Sequence, residues 1–560
     1  VKKYKYSIFL LVLLIFSFFF RVYKINTLSL FGDEIDVGYQ AFSLLNTGKD
    51  YKGNFLPTYI QSLSESRAPL LIYSSIPGIK LFGLTELGVR ITPIIFGILS
   101  LYVFYKLILL LSKSNILALL STTAMSFSPW HFHYSRTSFE VTLLTFLLLF
   151  GTYFIFKYLD QSKNKFLYLS ILFYCLSFYT YNTANIFVPL LVIFIFITNF
   201  SKFKSKLKIK PVVFSSLIFL IIISPLAYQI FFGSAANRFN LISIFKDQTL
   251  INNIIEKRTI FSASSNPKIE SIFHNKPIVW TQELIKNYIS SFSLPFLFNS
   301  GDQLNLRHSV PGIGLLFISF LPLLFIGLIP LDLHQKLNKL MLFWLIISPL
   351  ASSLTVNGGN HATRLFLMLI PLSFFIGLGA TKLLNTKNIF SKIILLILIF
   401  TSLIEICSYS HEYFIHYPKD SFQVWNRGYK EIFQSIPSDS PRVFVSNTKY
   451  NSLLSYLFYQ NYSPKNLNHL QDTEQPNIAY DMSGFKLTSN TYFINNWQSQ
   501  NDIFKKMSQI AQKGDTFVLF QLNEIPGDMN LYQQPIPGFS TIRTIFNPNQ
   551  TILGQVIQKQ

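Results

Sequence analysis

Eleven stretches of nearly uninterrupted apolar residues leave this chain few ways to fold. They lie at roughly 7–21, 89–111, 115–129, 138–157, 166–181, 185–200, 212–232, 310–329, 339–355, 362–380 and 392–408. About 20 helical residues cross about 30 Å of hydrocarbon, and most of the runs approach that length. Backbone amides in lipid find no water, so each run must close its hydrogen bonds within a helix. Half of the 560 residues are hydrophobic and only 13% are charged, which excludes an ordinary soluble enzyme. The expected fold class is a polytopic α-helical membrane protein with about 11 transmembrane helices.

The net charge of +21 follows the same logic. Lysines gather in short tracts between the runs: "VKKYK", Lys106 with Lys113, "KYLDQSKNK", "SKFKSKLKIK", "LHQKLNK" and "TKLLNTKNIFSK". With alternating spans, all of these fall on the side of the N-terminus, as cytoplasmic loops require. The basicity is therefore topological, and no nucleic-acid partner is expected. The first run, with its basic "KKYKY" start, lacks a small-residue cleavage site and reads as a retained span. Cys175 and Cys407 both sit in apolar runs, so neither a disulfide framework nor a thiolate metal site is expected.

The opposite face receives outer loops at about 22–88 and 233–309, shorter turns, and everything after residue 408. The expected domains are a transmembrane domain over 1–408 and an extracytoplasmic α/β domain over 409–560. In the tail, "PRVFVSNTKYNSLLSYLFYQ" reads as a short strand followed by a helix and "GDTFVLFQL" as another strand. The 233–309 loop is long for a simple connection and is expected to form short helices covering a cavity.

The outer face also collects ionisable residues. "FGDEID" places Asp33, Glu34 and Asp36 just beyond the first run. "SESRAPL", "HFHYSRTSFE", "GDQLNLRHSVPG" and "GGNHATRLF" add Arg67, Arg136, Glu140, Arg307, His308, His361 and Arg364. Charge at a membrane boundary is costly to desolvate and marks candidate functional sites. Guanidinium groups donate two parallel hydrogen bonds and suit phosphate. Carboxylates and arginines on one face point to an anionic, membrane-borne substrate.

"FGDE", "RAPL", "SRTSFE", "GDQLNLRHSVPG" and "NHATRLFLMLIP", in this order over about residues 1–400, resemble the dolichyl-phosphate-mannose-protein mannosyltransferase family. That family, of glycosyltransferase family 39 type, and its aminoarabinose transferase relatives acting on lipid A are C-type integral-membrane glycosyltransferases. The resemblance implies a GT-C-like fold and an inverting transfer of a hexose or pentose from a polyprenyl-phosphate donor to an acceptor hydroxyl. Protein, glycolipid and cell-envelope polymer acceptors all remain open. It implies Asp33 as catalytic base with Glu34 beside it. Arg67, Arg136, Glu140, Arg307, His308, His361 and Arg364 become candidates for the donor phosphate or substrate. Many members carry "HPPL" where this chain has "RAPL", and an Asp where it has Glu140.

Simpler readings stand beside these. Glu140 follows Arg136 by four residues, the spacing of a helix ion pair. His131 and His133 flank Phe132 beside Trp130, which fits an aromatic interfacial belt better than a metal site. The His and Arg pairs at 307–308 and 361–364 have the reach to snorkel at the interface. The "YTYNTANIF" turn reads as a plain hairpin, and Pro225, Pro349 and Pro371 as kinks. No His-x-x-x-His pair or cysteine set supports a metal, and no cofactor is expected. An oligosaccharyltransferase or a lipid transporter would share the spans, but a transporter calls for internal repeats, and none is visible.

The sidedness is testable directly. In a chain with Cys175 and Cys407 replaced by serine, Lys204→Cys should react with impermeant reagent only from the cytoplasm. Ser435→Cys should react only from outside. Exterior labelling at 204 contradicts the assignment.

Overall fold

The computed structural model describes residues 2–62, 66–232, 242–261, 267–447, 452–467, 475–479, 482–496, 500–520, 531 and 533–560. Among the described residues, six helices are long and apolar enough to cross a membrane. They are Lys5–Val22, Glu86–Ser112, Glu140–Gln161, Ile209–Ile230, Phe366–Asn385 and Ile389–Asp420. A seventh crossing arises if Ala184–Thr198 and Phe200–Lys206, bent by 81°, count as one span. The remaining apolar runs form shorter helices, such as Asn115–Phe127 and Asn164–Ser177.

Two runs are broken for visible reasons. Run 310–329 is helical only over Phe320–Leu328. Its earlier residues pair outward: Leu315 O accepts from Trp130 N–H at 3.0 Å, and Leu316 N–H donates to Leu297 O at 2.8 Å. Run 339–355 splits into Lys336–Ile347 and Leu350–Ser353 at Ser348–Pro349.

The chain divides into two compact units. One comprises Val1–Tyr23, Thr58–Leu71 and Arg90–Tyr417; the other comprises Lys24–Pro57, Ile72–Val89 and Pro418–Gln560. In the first unit, helices approach closely where side chains are small. A Cβ on Gly379 would meet Leu323 O at 1.9 Å, and one on Gly327 would meet Phe375 O at 1.9 Å. These glycines let Phe320–Leu328 seat against Leu369–Asn385 at backbone distance. The helix Ile389–His411 presents Leu396, Ile397, Phe400 and Leu403 outward, the face a lipid-solvated helix requires.

The second unit is built around a mixed sheet. After a two-stranded hairpin in the first unit, β1 (Ile60–Gln61) and β2 (Ser66–Arg67), the strands are β3 (Val443–Ser446), β4 (Gln475–Ala479), β5 (Met482–Lys486), β6 (Thr491–Asn496), β7 (Thr516–Phe520), β8 (Phe539–Phe546) and β9 (Ile552–Lys559). Their order is β4-β5-β6-β3-β7-β9-β8, with β3 parallel to both β6 and β7 and the remaining pairs antiparallel. Phe444, Ile494, Met507, Phe517, Leu519 and Ile557 form its apolar core.

The helix Gly32–Thr47 belongs to this same unit. Tyr39 OH donates to Tyr462 O at 2.9 Å, Phe31 meets Trp425 edge-on at 5.3 Å, and Lys430 Nζ lies 3.0 Å from Glu86. The tail domain expected from the sequence is thus a sheet that shares one unit with the helix following the first span.

Buried Asp515, just before β7, ties the entry to β3 to the end of the helix Gln500–Ile510. It accepts from Arg442 Nε at 3.1 Å and from Gln512 N–H at 2.6 Å, and Arg442 also donates to Ile510 O at 2.9 Å. Asp515→Ala takes the carboxylate away from the partly buried Arg442 guanidinium and from Gln512 N–H, and should lower the sheet's stability by about 1–3 kcal/mol. Hydrogen exchange of the full chain should then speed up across Thr516–Phe520. Unchanged protection there contradicts the role.

Candidate active site

The sequence-predicted residues fall in both units, and each group has its own surroundings. In the second unit, Phe31 enters in extended backbone and Gly32 begins the helix that carries the acids. Asp33 and Glu34 occupy its first turn, where the exposed N–H ends favour negative charge. Glu34 and Asp36 are buried, whereas Asp33 is only partly so. Asp36 accepts from Tyr51 OH at 3.2 Å, and Gln40 Oε1 accepts from Tyr51 N–H at 3.3 Å. Asp36 is thereby held by the loop that follows. Of the three acids, Asp33 is the one that solvent or substrate can reach.

In the first unit, Glu140 opens the helix Glu140–Gln161 with its carboxylate 3.9 Å from Arg67 Nη1. Glu140 therefore has Arg67 as an ion partner. Arg136 precedes the helix in a turn, so the four-residue spacing to Glu140 is not helical. Arg136 instead closes the end of the first span. Its Nη1 donates to the carbonyls of Phe20, Arg21 and Tyr23 at 3.2, 2.6 and 2.8 Å. Its guanidinium also lies over the rings of Phe132, Tyr413 and Phe414 at 5.3, 5.3 and 4.9 Å. That is the geometry of a buried helix cap.

The two histidines read as interfacial are buried and hydrogen-bonded. His133 Nε2 donates to Arg307 O at 2.7 Å, so its Nδ1 accepts from Tyr413 OH at 3.1 Å. His131 Nδ1 accepts from Arg21 at 2.9 Å, leaving Nε2–H to donate to Ser100 at 3.1 Å. Burial, helped by nearby cations, pushes His133 down to about 3 and His131 well below its ordinary value.

The loop before Phe320–Leu328 and the loop before Leu369–Asn385 meet. Asp302 accepts from His308 Nδ1 at 2.8 Å and from Ala362 N–H at 3.0 Å. His361 lies beside His308, with ring centroids 4.8 Å apart. Tyr134 OH pairs with Thr363 Oγ1 at 2.8 Å, and Trp130 Nε1 donates to Ala362 O at 3.1 Å. Tyr417 OH donates to Leu306 O at 2.6 Å, which fixes the backbone just before Arg307.

Arg364 donates to Thr355 Oγ1 at 2.6 Å and to Val356 O at 3.0 Å. It lines a cavity of about 60 Å³ with Tyr181, Asn182, Thr183 and Thr355. The "YTYNTANIF" turn, read as a plain hairpin, thus contributes polar groups beside an arginine. Within the first unit Arg67 meets Glu140, and Asp302, His308 and His361 form a second group. Asp302 and the Tyr181–Thr183 turn are additions to the predicted set. A signal for Asp302 was present in "GDQLNLRH", where an acid stands six residues before a histidine.

No curated protein matches this chain. Among solved structures it is similar to ArnT from Cupriavidus metallidurans bound to undecaprenyl phosphate, at 12% identity and a TM-score of 0.44, over 98% of this chain and 97% of that one. The same ArnT in the apo state aligns at 12% identity and a TM-score of 0.43, over 100% and 98%. The archaeal oligosaccharyltransferase AglB from Archaeoglobus fulgidus, in complex with an inhibitory peptide and a dolichol-phosphate, aligns at 10% identity and a TM-score of 0.47, over 82% and 64%. Residues 66–228, which include Arg67 and Glu140, match the model of the dolichyl-phosphate-mannose-protein mannosyltransferase family, and over that segment the resemblance carried by the motifs holds.

Proposed function

We propose that the chain is an inverting glycosyltransferase moving a sugar from a polyprenyl-phosphate donor to an acceptor hydroxyl on the non-cytoplasmic face. The observation that carries this reading is Asp33, a partly exposed carboxylate at a helix start, followed by the buried acids Glu34 and Asp36 and placed just after a membrane span. The family match over residues 66–228 supports the reaction class. A donor carrying undecaprenyl or dolichyl phosphate is consistent with the lipid phosphates bound to ArnT and AglB.

The chemistry needs little more than these residues. Asp33 accepts the acceptor's hydroxyl proton as that oxygen attacks the anomeric carbon. The bond from carbon to phosphate oxygen breaks on the opposite face, and the lipid phosphate departs with its electron pair. Arginines stabilise the departing charge, the role assigned to Arg307 and Arg364. Glu34 is a positioning residue for Asp33. Arg136, whose Nη1 holds the first span's carbonyls, is given a structural role in this reading. The acceptor is a hydroxyl of protein, glycolipid or envelope polymer.

The test uses membranes containing the full chain and a labelled polyprenyl-phosphate hexose or pentose. Asp33→Asn keeps size and most hydrogen bonding but removes the proton acceptor. It should lower transfer by about 10²–10⁴-fold with donor binding retained. Glu34→Gln should cost less, and Arg307→Ala or Arg364→Ala should weaken donor binding instead. Near-normal turnover in folded Asp33→Asn contradicts the assignment of the base. Absence of label transfer in the unaltered chain with every donor contradicts the reaction class.

A further inference from the structure

We propose that Asp302, His308 and His361 form a binding site for one divalent transition-metal ion of the zinc type. Each residue offers one ligand atom, and the three atoms lie within 4.8 Å of one another. A tetrahedral zinc ion with bonds of about 2.0–2.2 Å holds its nitrogen and oxygen ligands about 3.4 Å apart. The contact of 2.8 Å between His308 Nδ1 and Asp302 Oδ2 would open slightly, and the wider separations would close, by side-chain movement alone.

The surroundings are those of a prepared ligand set. Asp302 and His308 are buried while His361 is partly exposed, which leaves a way in from one side. Asp302 is oriented by backbone donors outside the triad: its Oδ1 accepts from Asn305 N–H at 3.1 Å and its Oδ2 from Ala362 N–H at 3.0 Å. Such outer hydrogen bonds fix a carboxylate for metal binding. Ser309 Oγ accepts from Asp302 N–H at 2.8 Å, and Gly301 takes a φ of 64°, so the carboxylate stands on a fixed turn. A hydrogen-bonded Asp–His pair alone would not need the second imidazole, which faces His308 at 41°.

Two imidazoles and one carboxylate accept Zn²⁺, Co²⁺ or Mn²⁺ better than Mg²⁺ or Ca²⁺, which prefer all-oxygen sites. Three protein ligands leave a coordination position for water or an anionic oxygen. The site stands whether or not the transfer reaction is the one proposed above.

The experiment takes the full chain in detergent, free of any affinity tag and stripped with a chelator, and titrates it with Co²⁺. The expected result is one Co²⁺ per chain with the visible absorption of a four-coordinate ion, displaced by Zn²⁺. His361→Ala should bind at least about 10-fold more weakly, and Asp302→Asn should lose the absorption. His274→Ala, outside the triad, should behave as the unaltered chain does. Substoichiometric Co²⁺ without absorption in the unaltered chain overturns the site and needs no variant to fold. Unchanged binding in folded His361→Ala overturns it equally.

Discussion

Backbone that leaves its helix within an apolar layer must find its hydrogen bonds in protein, and ionic side chains supply them here. Arg136 closes the carbonyl end of the first span through Phe20, Arg21 and Tyr23. Glu405, inside an apolar helix, accepts from the N–H groups of Ile318 and Ser319 at 2.9 and 3.1 Å and so caps the start of another. Lys382 donates to the carbonyls of Ile326, Gly327 and Pro330 at 2.9, 3.1 and 2.8 Å. Each buried group left without such a partner would cost about 1–3 kcal/mol. These contacts permit the broken, irregular segments from which polar chemistry can be built at a membrane boundary.

The same economy separates structural charges from chemical ones. The Nη1 of Arg136 is held by three carbonyls and its guanidinium lies over aromatic rings, so its charge helps to close the end of the first span. Arg364 keeps a partly exposed group beside a small polar cavity. Among the acids, burial and the Tyr51 contact commit Asp36 to the fold, while Asp33 stays reachable on the next turn back. A proton acceptor must meet both solvent and substrate, and exposure is what distinguishes it from its neighbours.

What could be read in the sequence follows from how local each interaction is. Continuous apolar runs such as 138–157 and 362–380 announce their helices, because lipid leaves no other way to pair the backbone. Run 310–329 looked the same in composition but is mostly irregular, since its partners Trp130, Leu297 and Glu405 lie far away in sequence. The pairing of Glu140 with Arg67 was hidden for that reason, while the nearer Arg136 offered a spacing that means something only within a helix. Asp302 and His361 are nearly sixty residues apart on two loops, so no short ligand spacing could reveal them. The motifs "FGDE" and "NHATR" did show which segments carry chemistry, though not which of their side chains serve the fold.

The proposed transfer is a single displacement in which one carboxylate takes a proton and the lipid phosphate leaves from the opposite face. The most direct measurement is the anomeric configuration of the transferred sugar, read by NMR one-bond carbon–proton coupling after transfer from a donor of one defined anomer. A single displacement gives complete inversion relative to the donor. A product that retains the donor's configuration would require a covalent glycosyl–enzyme intermediate and would contradict it.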